Sequence, residues 1–431
     1  MKQKISLVLA TLLMFVYITP ISAEEITPML ESEAVILIEE STGKVLYEKN
    51  SDQIMYPAST SKVLTALIAL ENGDPDDIIV VGNEVNAVPL DASKAGHVSG
   101  DKLTLRQLLT ALMLPSGNDS AYVVASYVVK KTTGNTNIDA VAANNQFAIM
   151  MNERAAKIGV KNVNFANPSG YHDDNHYITA SGLALITREA MKNPIFLEIV
   201  GQSEYTMKYE GKPERTVVWK NRNLLLNKGN ISTYYQYATG VKTGNTDEAG
   251  ECLVATATKD NLKLIAILLK TPVDKRWGES KALFEYGFKN YSLNQFLAVN
   301  ELVDMIPVDK HSPKGPAGLE VIAKDNYIDL IKRDDIARVE RNIVWNETLL
   351  EAPVEAGKNV GKAIYSLDGT VLKEVDLVAK NAIEKRTIIE FIFSVSSIPY
   401  WIGTIGIVAV IGIIIYIINK RKKRRGFRIK F

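Results

Sequence analysis

Apolar positions along this 431-residue chain fall into three textures. In the first two thirds, strand-like runs alternate with helical spacing. Segments 34–40 and 44–48 flank Ser41-Thr42-Gly43, which predicts strand, turn and strand. Val63, Leu64, Leu67 and Ile68 share one face of a helix predicted from about residue 59 to 70. Further helices are predicted over 103–114, 120–129, 144–158 and 179–192, the last with Thr179 or Ser181 as its cap. Segments 252–258 and 262–269 predict paired strands about Lys259-Asp260-Asn261, and a helix over 279–288 follows. Strands at both ends with helices between suit an α+β unit whose first and last strands meet in one antiparallel sheet.

Beyond about residue 297 the apolar runs become short and β-like. Segments 319–323, 327–330, 362–366 and 370–377 are broken by Pro, Gly and Asp turns, and Ser366-Leu367-Asp368-Gly369-Thr370 reads as a hairpin turn. The third texture belongs to the ends. Residues 1–23 carry Lys2 and Lys4, then run apolar and close on Ile21-Ser22-Ala23, the pattern of a secretory signal peptide cleaved after Ala23. Residues 391–419 hold no charge and are densest in Ile, Val, Gly and Ala over 402–418, with Tyr400 and Trp401 at one border. That composition predicts a transmembrane helix over 400–418. The expected parts are therefore a signal peptide (1–23), an α+β unit (26–296), a small β domain (297–385), the span (400–418) and a basic tail (419–431).

Charge places these parts. The formal net is +1, yet the tail 420–431 holds eight basic residues and no acid, and residues 1–23 hold two. The body 24–419 is left at −9, a poor nucleic-acid binder. The basic cluster 420–425 abuts the span, so the tail is expected in the cytoplasm and the body outside it. Cys252 is the one cysteine, so no intramolecular disulfide forms. It sits in a strand pattern and reads as a small apolar residue rather than a nucleophile.

Three short motifs carry chemistry. Ser59 and Lys62 stand at i and i+3, where an amine reaches a hydroxyl. A serine hydroxyl is a weak nucleophile until a base takes its proton, and lysine serves only if desolvation or a neighbouring cation lowers its pKa. Lys242 is a candidate for that cation, and the helix start offers N–H groups to an oxyanion. Ser116-Gly117-Asn118 and Lys242-Thr243-Gly244 follow in order. Each motif alone is explained by a solvated helix face, a turn or a strand end. Together they form the trio of penicillin-binding proteins and class A β-lactamases.

With these motifs the chain resembles the low-molecular-weight penicillin-binding proteins, the D-alanyl-D-alanine carboxypeptidases of the type-5 group. The resemblance runs through segment 57–62, Leu114 to Ala121, Asn167-Pro168-Ser169-Gly170, Gly240 to Gly250 and, in the β domain, Leu349-Leu350-Glu351-Ala352-Pro353. It implies a β-lactamase/transpeptidase-like α+β domain, then a small all-β domain. It implies that Ser59 is acylated, that Lys62 is its general base and that Ser116 relays a proton to the leaving amine. Asn118 would hold the substrate amide and Lys62; Lys242 and Thr243 would bind the terminal carboxylate, with Gly244 in the same substrate-binding stretch. The backbone N–H groups of Ser59 and Asn245 would form the oxyanion hole, and Arg276 matches a basic position that assists with the carboxylate. Asn245 stands where some relatives have histidine, and the foot is a full span where several relatives use a surface helix.

The resemblance implies peptidoglycan stem peptides as substrates, β-lactam antibiotics as inhibitors and a bacterial membrane as anchor. No cofactor, metal or nucleic acid is expected. His172-Asp173-Asp174-Asn175-His176 has the look of a metal loop but lacks an evident third ligand, and His97 and His311 have no nameable partner. The rivals are a transpeptidase or endopeptidase, a β-lactamase, and an inactive wall-binding protein. A class A β-lactamase adds a deacylating glutamate, and no convincing Glu-x-x-x-Asn block lies between Asn118 and Lys242.

Overall fold

The computed structural model describes residues 27–209, 214–316, 318–394 and 397–426, so the expected signal peptide lies outside the described residues. The chain separates into two compact units, Met1–Thr258 with Lys263–Gly287, and Lys259–Leu262 with Phe288–Phe431.

In the first unit, strands β1 (Ala34–Glu39) and β2 (Val45–Lys49) lead to a 3₁₀ turn (Ala58–Ser61) and helix α1 (Lys62–Asn72). Then come β3 (Ile78–Val80), β4 (Lys102–Thr104), α2 (Leu105–Met113), α3 (Asn118–Thr133), α4 (Ala140–Ile158), α5 (Ala180–Ala190) and α6 (Pro194–Val200). A hairpin β5 (Glu204–Tyr209) and β6 (Arg215–Lys220) precedes β7 (Ala238–Thr246), β8 (Gly250–Lys259), β9 (Leu262–Thr271) and α7 (Lys275–Asn290). The main sheet has the order β2-β1-β9-β8-β7, with β1 antiparallel to β2 and β9, and β7 antiparallel to β8. First and last strands thus meet, as their order along the chain predicts.

All six residues of β1 are buried, because both faces of the sheet are covered. Ala34, Ile36 and Ile38 join a core with Val63, Leu64 and Leu67 of α1, Val124 and Val128 of α3 and Phe147 of α4. On the opposite face Leu37 and Leu264 close on Gly287 of α7. The helix ends follow local capping chemistry. Thr104 and Gln107 form a capping box at α2, and Thr179 Oγ1 accepts from Gly182 N at 2.9 Å to start α5, as the sequence predicts.

Two differences from the sequence reading matter at the site. Residue 59 does not open an α-helix: Ser59 lies in the 3₁₀ turn, and α1 begins at Lys62. Helix α3 begins at Asn118, two residues earlier than its apolar spacing predicts, directly after Ser116 in the left-handed region at φ +66°. Helix α6 and the β5–β6 hairpin were not predicted. Their signals are Asn193, which caps with Pro194 in the first turn, and the alternation of Tyr205, Met207 and Tyr209.

The second unit holds β10 (Tyr291–Leu297), β11 (Leu302–Asp309), β12 (Gly318–Ala323), β13 (Tyr327–Lys332), β14 (Val339–Trp345), β15 (Leu350–Glu351), β16 (Asn359–Leu367) and β17 (Thr370–Ala379). Its sheet has the order β14-β16-β17-β12-β11-β15, and β10 pairs with β13. Asp368 and Gly369 both take positive φ between Leu367 and Thr370, which closes the β16–β17 hairpin the sequence predicts. Leu319, Val321, Tyr327, Ala363 and Leu377 build its core. A short helix α8 (Ile388–Ile392) precedes α9 (Ile398–Gly426), which is long and apolar enough to cross a membrane and leaves its Ile and Val side chains uncovered.

The first unit's core sets the positions of the site elements. Truncating Phe147 to alanine should cost about 3–5 kcal/mol, read as a shifted denaturation midpoint of the detergent-solubilised chain. A loss below about 1 kcal/mol would contradict the packing described.

Candidate active site

The 3₁₀ turn sets the central pair. With three residues per turn, side chains at i and i+3 eclipse, so Lys62 lies directly over Ser59 and its Nζ stands 2.8 Å from Ser59 Oγ. Ser59 is partly exposed while Lys62 is fully buried. The amine also reaches Asn118 Oδ1 at 2.6 Å and the carbonyl oxygen of Ser169 at 2.5 Å. These last two atoms can only accept, so they take two N–H bonds. A neutral amine then turns its one lone pair towards the Ser59 hydroxyl.

Electrostatics favour that neutral form. Burial, helped by the Arg222 charge and opposed by Asp119, lowers the Lys62 pKa to about 7. Lys242 on β7 is equally buried, and burial, Lys62, Arg222 and Arg276 all push its pKa well below the usual lysine range. Its Nζ donates to the carbonyl of its neighbour Thr243 at 2.9 Å.

Close backbone approach holds the pieces together. Gly170 has φ +73°, and a Cβ there would stand 2.0 Å from the Ala58 carbonyl oxygen. Asn167 Oδ1 ties that loop by accepting from the N–H groups of Ser169, Gly170 and Tyr171. Gly244 brings β7 against the other side of the turn; a Cβ there would lie 2.9 Å from the Pro57 carbonyl oxygen.

Lys62, Asn118 and Ser59 are therefore in contact, and Gly244 packs on the turn that carries Ser59. Ser116 is buried one residue before the Gly117 that caps α3, and Thr243 and Asn245 flank Gly244 on β7. Arg276 donates from Nη1 to the Gly244 carbonyl at 3.2 Å, lies over the Trp277 ring and stands 3.4 Å from Glu251 through Nε, so it braces β7 from α7. Cys252 is fully buried opposite Gly244, and burial raises its thiol pKa to about 11, which suits an inert strand residue.

Several residues at the site were missed in the sequence. Arg222 donates to Ser93 Oγ at 3.0 Å, and the Ser93 carbonyl accepts from Asn118 N at 2.8 Å. Asp119 accepts from the N–H groups of Ala95, Gly96 and His97, pinning the loop that carries Ser93. His97 finds partners in Ser120 Oγ and the Tyr209 hydroxyl, and His311 in the Val308 carbonyl. Asp119 had a signal, since it directly follows Asn118; Arg222 had none. The two histidines of the 172–176 loop part ways. His176 turns inward to Ser61, while His172 lies edge-on to Tyr56 near Glu248.

The amine is directly testable. The ¹³Cε resonance of Lys62 should titrate near pH 7. A midpoint above about 9, in the range of a free lysine, would contradict a neutral amine.

Comparison with known proteins gives the chain its family. Residues 21–272 match the D-alanyl-D-alanine carboxypeptidase family, and residues 291–385 match the C-terminal domain of penicillin-binding protein 5. The D-alanyl-D-alanine carboxypeptidase DacF of Bacillus subtilis is 28% identical over 368 residues, covering 84% of this chain and 88% of that protein. Penicillin-binding protein 5 from Haemophilus influenzae superposes with a TM-score of 0.63 at 25% identity, over 83% of this chain and 99% of that one. The Streptomyces K15 DD-transpeptidase superposes with a TM-score of 0.55 at 33% identity, over 61% of this chain and 98% of that one. The fold is thus the β-lactamase/transpeptidase-like one followed by an all-β domain, and the chain belongs to the D-alanyl-D-alanine carboxypeptidase family of serine peptidases.

Proposed function

We propose that the chain removes the terminal D-alanine from peptidoglycan stem pentapeptides through an acyl-enzyme on Ser59. The observation that carries this reading is the 2.8 Å bond between Ser59 Oγ and the buried Lys62 amine. Neutral Lys62 takes the hydroxyl proton as Oγ attacks the carbonyl of the penultimate D-alanine. The N–H groups of Ser59 and Asn245 receive the oxyanion, and such donors lower barriers because they are preorganised. Ser116 relays the proton taken up by Lys62 to the leaving amine, so that D-alanine departs as an amine and Lys62 is neutral again. Lys242 and Thr243 bind the terminal carboxylate, whose negative charge offsets the burial and the Lys62, Arg222 and Arg276 charges that disfavour a charge on Lys242. Asn118 orients Lys62 and the substrate amide, Gly244 keeps the substrate-binding strand close to the turn, and Arg276 acts by holding β7. Water then clears the acyl group.

β-Lactams present a strained amide and a carboxylate to the same groups, so they should acylate Ser59. The body lies outside the cell membrane, held by α9, with the basic tail in the cytoplasm; the charge asymmetry supports this orientation. A transpeptidase reading, in which an amine resolves the acyl-enzyme, is favoured by one observation, the likeness to a structure described as a DD-transpeptidase.

A fluorescent penicillin conjugate too large to cross a membrane should label intact cells expressing the chain and should fail on Ser59→Ala. Purified protein should release free D-alanine from a synthetic pentapeptide. Strong labelling of Ser59→Ala would remove the nucleophile assignment, labelling only after lysis would reverse the orientation, and cross-linked product without free D-alanine would favour the transpeptidase.

A further inference from the structure

The 172–176 loop carries a histidine whose role is separate from the trio. His176 is buried, and both its ring nitrogens are engaged. Ala166 N–H donates to Nδ1 at 3.2 Å. Nδ1 must therefore be the acceptor, and the ring proton sits on Nε2. Nε2–H donates to Ser61 Oγ at 2.8 Å, and Ser61 Oγ donates in turn to the Ala58 carbonyl at 3.0 Å. Burial lowers the His176 pKa to about 4, which keeps this neutral tautomer in place at working pH.

The Ala58 carbonyl belongs to the same peptide group as the Ser59 N–H. That peptide needs holding, because Ala58 sits in the left-handed region at φ +47°, where a residue with a Cβ is disfavoured. Gly170 closes on its oxygen from one side, and the His176–Ser61 chain bonds to the same oxygen. A hydrogen bond accepted at a peptide oxygen polarises the group and strengthens its N–H as a donor.

We propose that His176 is a positioning residue for the oxyanion hole: acting through Ser61, it orients and polarises the Ala58–Ser59 peptide so that the Ser59 N–H meets the developing oxyanion. The proposal rests on Ser59 as nucleophile. It assigns the histidine loop to the turnover of the acyl centre rather than to a metal.

The test uses the full-length, detergent-solubilised protein and pairs two substitutions that differ in where they place a polar atom. In His176→Gln the amide nitrogen stands three bonds from Cβ, as Nε2 does, and keeps the donor to Ser61. In His176→Asn the amide stands two bonds from Cβ, as Nδ1 does, and keeps only the partner of Ala166. Complete loss of one oxyanion donor costs on the order of 10²–10³-fold in kcat, so a misaligned one should cost about 10–100-fold. His176→Asn and Ser61→Ala should each lower kcat for D-alanine release, and the penicillin acylation rate, by about that factor with KM little changed. Their double variant should lose no more than either alone, and His176→Gln should stay within about threefold of the parent.

Rates are taken per folded molecule, with Ser61→Ala as the less disruptive arm should a histidine variant fold poorly. Near-parental kcat in both Ser61→Ala and His176→Asn, equal loss in His176→Gln and His176→Asn, or multiplying losses in the double variant would overturn the proposal. Ser59→Ala, run alongside, separates the two layers. An inactive Ser59→Ala beside an unaffected His176→Asn sinks only this inference, whereas an active Ser59→Ala sinks the nucleophile assignment beneath it.

Discussion

Three hydrogen bonds converge on the Lys62 amine, and the arrangement of the first unit follows from the need to supply them. A fully buried ammonium is expensive, and a buried amine without partners is costly too. Each partner comes from a different place: Ser59 from the 3₁₀ turn, Asn118 from the first residue of α3, and the Ser169 carbonyl from the loop after α4. The helical layer brings these three together, while Gly170 and Gly244 let two backbones close on the turn where a side chain would have kept them apart.

The surrounding charges complete the logic. Burial and the Arg222 charge lower the Lys62 pKa, so Arg222, and not the expected Lys242, is the cation that acts on it; burial and the Lys62, Arg222 and Arg276 charges lower that of Lys242. Asp119, which partly offsets these effects at Lys62, accepts from the backbone N–H groups of Ala95, Gly96 and His97. So arranged, the buried Lys62 amine is held towards its neutral form.

Much of this was legible in the sequence. Periodicity located β1, β2, α1 to α5, β8, β9 and the β16–β17 hairpin, because their apolar faces are set by local spacing. The trio named Ser59 and Asn118, two of the three partners of the Lys62 amine; the third is the backbone carbonyl of Ser169, which lies outside the trio. The 3₁₀ turn was not legible, because a Ser-x-x-Lys spacing fits either helix type. Arg222 was invisible because it acts through space from a segment without a motif. His176 was seen as half of a metal loop, and only the fold shows that it points at Ser61 while His172 faces Tyr56 and Glu248.

The pH dependence of penicillin acylation tests the neutral base most directly. A Lys62 amine with a pKa of about 7 requires the acylation rate to rise about tenfold per pH unit below that value and to level off above it. A rate flat from about pH 5.5 to 9, or one that rises only above about pH 9 where an ordinary lysine begins to lose its proton, would contradict Lys62 as the group that activates Ser59.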